Sequence, residues 1–328
     1  MAKVAVVILN YNGEQYLRDF LPGVIQHSPE AEIVVADNCS SDKSRQLIKS
    51  QFPSVTLIEL TENHGYAGGY NQALKQVEAQ YYLLLNSDVE VTTRWLNPLT
   101  SYLDSNPDFA AVQPKILDYK NREYFEYAGA AGGYLDYFGY PYCRGRVFDT
   151  LEKDTGQYDN IAEVFWCSGA CFLIRSKAFH DIGGFDASFF AHMEEIDLCW
   201  RLNNSGHRLA CNPKSVVYHV GGGTLNKTSS RKTYLNFRNN LIMLAKNEPG
   251  SKLLFLLPLR LILDLLAGLK FWNDQTFGHF LAVLKAQVHF VTHRKKRIGT
   301  FRSRSGVKLL YQYYMKRRKT FREINYTK

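Results

Sequence analysis

The sequence lacks the two loops by which most nucleotide folds are recognised. The turn after the first apolar run is Asn10-Tyr11-Asn12-Gly13. It is not G-x-G-x-x-G, which excludes a dinucleotide site of the usual kind, and no G-x-x-x-x-G-K-[ST] follows anywhere, which excludes P-loop chemistry. Cysteine is sparse. The six thiols include no C-x-x-C pair, and Cys167 and Cys171, four apart, have no second pair to complete a zinc site. Reduced thiols in an apolar core are the expectation. The N-terminal apolar run stops at Asn10, too short for a signal peptide with a cleavage site, so a cytoplasmic protein is expected. Acidic residues are nearly missing from the end of the chain: residues 291–328 hold 13 Lys and Arg against Glu323 alone, on a total charge of +9. The remaining body is close to neutral. That division argues against a nucleic-acid partner and for a tail that meets an anionic membrane surface.

What is present is an alternation of buried strands and amphipathic helices. Lys3–Leu9, Glu32–Asp37, Val55–Leu60 and Tyr81–Leu85 read as strands, with helices over Glu14–His27, Ser41–Phe52, Ala67–Ala79 and Trp95–Ser105 between and after them. Such βαβ units predict a parallel sheet with right-handed crossovers. Tyr119–Arg146, rich in Tyr and Gly, reads as an ordered but irregular insertion over the site. Ala170–Ser176 and Ser215–His219 are further strands, and Glu194–Asn204 is a helix closed by Gly206. The last part is helical: Lys232–Lys246, Lys252–Trp272 and Phe277–Val291. The second of these is almost long enough to span a bilayer, but Arg260, Asp264 and Pro258 interrupt it. An interfacial helix or a helix pair is expected instead. Basic clusters at Arg294–Arg297 and Lys316–Lys319 follow.

Polar residues gather at the carboxyl ends of the strands, where open α/β sheets bind ligands. Asn10 and Asn12 follow the first strand and Asp37-Asn38 the second; an Asp there can accept the imide N–H of a pyrimidine, or serve as a turn residue. Asn63-His64-Gly65-Tyr66-Ala67-Gly68-Gly69-Tyr70-Asn71 opens a helix whose N-terminal N–H groups suit a phosphate. Asn86-Ser87-Asp88 supplies one hard carboxylate, suited to Mg²⁺ or Mn²⁺. Met193-Glu194-Glu195-Ile196-Asp197 crowds three acids at a helix start. Asp197 is explained by pairing with Arg201 at i, i+4, whereas two adjacent glutamates among aromatic residues fit a desolvated general base. His219 ends a strand just before Gly221-Gly222-Gly223, in a place open to a metal-ligand role.

In their order, VVILNYN, VVADNCSSD, NHGYAGGYN, NSD and EEIDLCWR resemble the landmarks of family 2 glycosyltransferases of the GT-A fold, especially the rhamnosyltransferase-like branch. The resemblance covers roughly residues 3–245. It implies an α/β, GT-A type nucleotide-diphospho-sugar transferase fold, with a catalytic domain over 1–230 and a membrane-associating helical region over 231–328. Within the catalytic domain, a nucleotide-binding half reaches to about 115 and an acceptor-side half follows. It further implies that Asn10, Asn12, Asp37, Asn38, Asn63, Gly68, Asn71, Asn86 and Ser87 bind the nucleotide sugar, and that Asp88 and His219 hold Mg²⁺ or Mn²⁺. Trp166, Gly169 and Ala170 fall on the acceptor side. Glu195, beside Glu194, takes the place of the family's base, where an Asp is usual; the first acid of the DxD motif is replaced by Asn86. The implied reaction is an inverting, metal-assisted transfer in cell-envelope glycan synthesis. Its donor is of dTDP or UDP type, with rhamnose as the first candidate, its acceptor is lipid-linked or a glycan, and it takes place at the inner face of the membrane. The competing expectation is a catalytically silent scaffold that retains the nucleotide-sugar fold, which the incomplete DxD motif favours.

Overall fold

Alternate residues of the first strand feed two separate cores. In β1 (Ala2–Asn10), Val4, Val6 and Ile8 pack against Leu17, Leu21 and Val24 of α1 (Glu14–His27), while Ala5 and Val7 join a second core on the opposite face. Period-2 alternation with both faces apolar is what a strand buried on two sides requires. In the computed structural model, which describes residues 2–221, 229–273, 276–292 and 306–325, the alternation continues through β2 (Glu32–Asp37), α2 (Ser44–Gln51), β3 (Thr56–Glu59), α3 (Gly65–Leu74) and β4 (Ala79–Asn86). These four strands are parallel, with Asn10 opposite Asp37 and Leu9 opposite Asn86.

Beyond β4 the sheet is mixed, not parallel throughout. After β5 (Val89–Val91) and α4 (Asn97–Ser105) comes β6 (Phe109–Asp118), a long buried strand that the sequence pattern hid behind Gln113, Pro114 and Lys115. Proline fits there because β13 slips register opposite it, between Asn212 and Val216. The expected irregular insertion, Tyr119–Arg146, and the residues just after it form a second, four-stranded sheet: β7 (Gly133–Leu135), β8 (Pro141–Cys143), β9 (Arg146–Val147) and β10 (Thr150–Leu151). Strands of two or three residues are too short to leave a readable period. The chain re-enters the main sheet through β11 (Ala162–Val164) and β12 (Cys171–Arg175). It then runs through α5 (Ser176–Asp181) and α6 (Glu194–Asn204) into β13 (Arg208–His219). The nine-stranded order is β11-β13-β6-β12-β4-β1-β2-β3, with β5 on β13; β12 is antiparallel to β4 and β6. All six cysteines are free thiols, five of them buried.

The last elements are α7 (Ser230–Asn247), α8 (Gly250–Asn273), α9 (Phe277–Thr292) and α10 (Phe321–Asn325). The basic cluster Arg294–Arg297 and the glycines Gly222-Gly223 lie outside the described residues. α7 is tied to α6: Lys246 Nζ donates to Asp197 at 2.8 Å and to Asp186 at 3.0 Å, and Arg201 shares Asp197 at 2.8 Å. In α8 the two charges that interrupt the apolar run face the body. Arg260 Nε donates to Asp264 at 2.9 Å and Nη1 to Phe138 O at 2.8 Å, with the guanidinium 3.7 Å from the Tyr140 ring centre. No helix among the described residues is long and apolar enough to cross a membrane.

Arg260 is 2% exposed and Asp264 0%. Truncating one partner of such a pair leaves the other buried and uncompensated, so Arg260→Ala should cost about 3–5 kcal/mol in denaturant unfolding. The double change to Met at 260 and Leu at 264 should cost clearly less; an equal or larger loss would show that the charges contribute more than packing does.

Candidate active site

Where β1 and β2 end, their polar residues hold one another. Asn10 Nδ2 donates to Asp37 Oδ2 at 3.1 Å and to Ser40 Oγ at 3.2 Å, while Ser40 N donates to Asp37 Oδ1 at 2.9 Å. Asp37 is fully buried and Arg45 Nε lies 3.6 Å from it. Each carboxylate oxygen keeps a lone pair beyond these bonds. Asn10 Oδ1 is buried and unpartnered at the same strand end. A Cβ at Gly13 would strike it and would lie 3.3 Å from Ser87 Oγ, so glycine lets the first loop close over the β4 corner. Asn12, with φ at +51°, accepts from Ser41 N at 2.7 Å and orders the following turn.

The glycine-rich start of α3 departs from its expected role. His64 N donates to Asn38 Oδ1, Gly65 N to Asn63 Oδ1, and Tyr66 N to Phe190 O at 2.7 Å. The N–H groups of His64, Gly65 and Tyr66 are therefore taken by protein acceptors. Glycine at 65 (φ +68°) is required because Phe190 presses against it. Asn71 points away from this edge, bracing Phe185 through both its amide oxygen and nitrogen. Gly68 serves close packing on His64.

Asp88 and His219, 131 residues apart, are brought together by strand pairing. Asp88 occupies the turn from β4 into β5, where Val89 pairs with His219, and Val220 N donates to Asp88 O at 3.0 Å. His219 Nε2 lies 3.2 Å from Asp88 Oδ1, and Nδ1 lies 3.3 Å from Glu126 Oε1. All three are at least nine-tenths buried. Burial opposes the Asp88 charge, but the His219 charge and hydrogen bonds, including one from Gly221 N–H, outweigh it and hold the carboxyl below its usual value. Burial likewise pulls His219 down, and the Glu126 and Asp88 carboxylates more than reverse this, raising it to about 10. A carboxylate oxygen and an imidazole nitrogen are a donor pair that Mg²⁺ or Mn²⁺ accepts, and a cation here would have to displace the Nε2 proton that the two carboxylates favour. Two ligands suffice only for a cation that also holds substrate phosphates. Among the described residues, no group of three His, Cys, Asp or Glu converges to hold a metal ion unaided.

The start of α6 meets the same sheet edge. Phe190, His192 and Met193 have φ of +63°, +69° and +72°. Non-glycine residues in that region store strain, and such strain persists only where the surroundings enforce it. Asn239 of α7 does so, its amide donating to Phe189 O, Ala191 O and His192 O at 2.7–3.0 Å. Glu194 is 4% exposed with Oε2 unpartnered, whereas Glu195 keeps access to solvent. Burial, then the Glu195 charge, pushes Glu194 well above the carboxylate range; burial pushes Glu195 up to about 7. Glu195 lies against Gly169, whose carbonyl accepts from Tyr66 OH at 2.7 Å. Next to Gly169, Ala170 O accepts from Asn86 N at 2.9 Å, which puts Glu195 on the same sheet edge as the Asn86–Asp88 turn. Trp166 is only 2% exposed, its indole donating to Tyr134 O and packing on Gly133, so it joins the small sheet to the main one. Glu126 and Asn239 carry no signal in the sequence, since neither stands at a predicted strand end or in an acidic cluster, and Tyr66 is marked there only as part of the glycine-rich helix start.

Comparison with known proteins places these features in a family. The pattern of Glycosyl transferase family 2 matches residues 5–183, over half of the chain. The low-salt glycan biosynthesis hexosyltransferase Agl10 of Haloferax volcanii is 27% identical over 257 residues, covering 76% of this chain and 77% of that protein. The N-acetylglucosaminyl-diphospho-decaprenol L-rhamnosyltransferase of Mycobacterium tuberculosis is 24% identical over 261 residues, covering 75% and 85%. Among solved structures, GalNAc-T7 with UDP, GalNAc and Mn²⁺ shares the fold, with a TM-score of 0.60 at 18% identity. It covers 77% of this chain, which spans about half (49%) of that one.

The shift of Glu195 to about 7 gives a sign to the pH dependence of any reaction in which it serves as base. In that role it would act deprotonated, so kcat should fall about tenfold per pH unit below roughly pH 7 and level off above it. A flat profile through that range would remove Glu195 from the role. The same shift is a stability statement. The folded pKa lies above the unfolded one, so this contribution is present at low pH and is lost as pH rises through about 7. Glu195→Gln should therefore melt higher than wild type at pH 8, by on the order of 2 kcal/mol after discounting solvent access, with no gain at pH 4.

Proposed function

The chain belongs to Glycosyl transferase family 2, and from that premise we propose an inverting sugar transfer from a nucleotide diphosphate to an acceptor hydroxyl. The observation that carries the reading is that Glu195, against Gly169 beside the Ala170–Asn86 bond, lies on the same sheet edge as the turn that holds the Asp88–His219 pair. In this reading Glu195 takes the acceptor proton as its oxygen attacks the anomeric carbon. Glu194, buried and biased toward its neutral form, keeps a second charge away from the reacting atoms. The Asn10–Asp37–Ser40 cluster receives the base, Asn38, Asn63, Asn86 and Ser87 shape the floor beneath the nucleotide, and Gly169 and Ala170 border the acceptor. Asp88 and His219 would hold Mg²⁺ or Mn²⁺, which when bound supplies neutralisation of the diphosphate leaving group.

A UDP or dTDP donor with rhamnose as the sugar, and a lipid-linked acceptor, are the finer parts of the proposal. The mycobacterial relative's name, which specifies L-rhamnosyl transfer to a diphospho-decaprenol, supports them; the GalNAc-T7 complex with UDP and Mn²⁺ supports the donor class and the cation. We also propose that residues 231–328 hold the enzyme at the membrane surface. Of the 19 large apolar side chains left exposed among the described residues, 15 lie beyond residue 250, including Phe255 at 82% and Leu254 at 73%. With Arg260 and Asp264 turned inward, α8 presents an apolar outer face beside exposed Lys270, Lys316 and Arg317. That combination suits the interface of an anionic leaflet.

Purified protein incubated with a panel of nucleotide sugars, Mn²⁺ and a lipid-linked acceptor should release nucleoside diphosphate, and Asp88→Ala should lose this by 100-fold or more. No release with any donor would sink the reading, and undiminished release by Asp88→Ala would sink its metal half. Flotation with anionic vesicles tests the membrane half. Joint replacement of Phe255, Leu266 and Trp272 by Ser should cut binding at least tenfold, and high salt should weaken what remains. Unchanged flotation of that variant would refute an apolar contact.

A further inference from the structure

The buried acid on the far side of His219 has no part in the family landmarks or in the transfer just described. Glu126 follows β6, where the chain doubles back: Phe125 bridges Leu117, and Glu126 N donates to Ile116 O at 3.1 Å. Since β6 pairs with β13 so that Asp118 lies opposite His219, this return delivers the Glu126 side chain to the imidazole. One carboxylate oxygen, Oε2, accepts from Ala128 N. The other, Oε1, lies 3.3 Å from His219 Nδ1, an ion-pair approach short of a formed hydrogen bond, and among the described residues Nδ1 has no hydrogen-bond partner. The opposite face of the acid is built to the same end. Gly221 has φ +70°, which favours glycine, and a Cβ there would stand 3.0 Å from Oε1 and press on the carboxylate. Arg146, anchored on Tyr127 O at 3.0 Å, adds positive charge near Glu126.

We propose that Glu126 is a positioning residue that presents His219 Nε2 to the cation held with Asp88. The proposal rests on the metal reading of that corner. An imidazole that ligates through one nitrogen must carry its proton on the other, and a carboxylate at that second nitrogen fixes both the tautomer and the ring's rotation. Asp88 and Glu126 stand on opposite nitrogens of one ring, so His219 is oriented from one side and binds from the other. Isolated surface histidines need no such partner. Here a buried acid, a left-handed glycine and a strand return converge on one imidazole nitrogen, an arrangement that packing alone does not call for.

The test is Mn²⁺ affinity, read by water-proton relaxation with MnCl₂ and UDP, alongside UDP affinity without metal. Glu126→Gln, nearly isosteric, should bind Mn²⁺ about 10–100-fold more weakly while keeping its metal-free UDP affinity and its melting temperature. Glu126→Asp, which keeps the charge, should recover part of the loss. Mn²⁺ binding by Glu126→Gln within twofold of wild type, while Asp88→Ala is impaired, would overturn the role of Glu126 and leave the metal corner standing. Equal losses of metal-bound and metal-free UDP affinity would reduce Glu126 to a structural residue. No Mn²⁺ binding by the wild type would overturn both the corner and the proposal.

Discussion

The pairing of β13 with β5 and β6 is the constraint on which the rest of the site depends. It sets His219 opposite Val89 and Asp118, and so beside Asp88 and beside the return that carries Glu126. A slip of one residue would turn His219 to the other face of the sheet, because side chains alternate along a strand. Such a slip is opposed along the length of β13. Leu209, Ala210, Cys211 and Val217 are fully buried, and the bulge between Asn212 and Val216 accommodates the imino nitrogen of Pro114. The chemistry of the corner is thus held by hydrophobic register, not by the polar groups themselves.

The same division of labour appears at Glu194 and Glu195. Glu194 and Glu195 are kept in a setting that penalises their charge, and the three left-handed residues nearby are strained. What holds them lies outside the sheet. Asn239 satisfies three carbonyls of the strained turn, and Asp197, Arg201 and Lys246 join α6 to α7 through a buried network. Breaking a buried charge network by removing one member is costly, which makes it a rigid support even where its net contribution to stability is small. α7 therefore belongs to the support of these two glutamates, although its sequence reads only as the first of several C-terminal helices.

Much of this was legible in the sequence, for definite reasons. The apolar runs of β1, β2 and β4 and the bounds of α6, Glu194–Asn204, stand out because their period and flanking turns agree. Asp88, His219 and Glu195 could be singled out because acids and histidines at strand ends and helix starts are few. β6 could not, since Gln113, Pro114 and Lys115 interrupt its pattern and their acceptability depends on a bulge in a strand about a hundred residues away. Nor could the fate of the α3 N–H groups, because their acceptors, above all Phe190 O, arrive from another part of the chain. Glu126 stayed hidden for the same reason. Its neighbours in sequence, Phe125 and Tyr127, suggest an aromatic insertion, and only the fold supplies the imidazole.

The central claim is that His219, with Asp88, would hold the cation that neutralises the diphosphate leaving group. Pulsed electron paramagnetic resonance of the Mn²⁺ complex with UDP addresses it directly. The account predicts phosphorus couplings from the diphosphate together with a directly bound nitrogen that disappears in His219→Gln. Phosphorus couplings with no bound nitrogen in the wild type would contradict it.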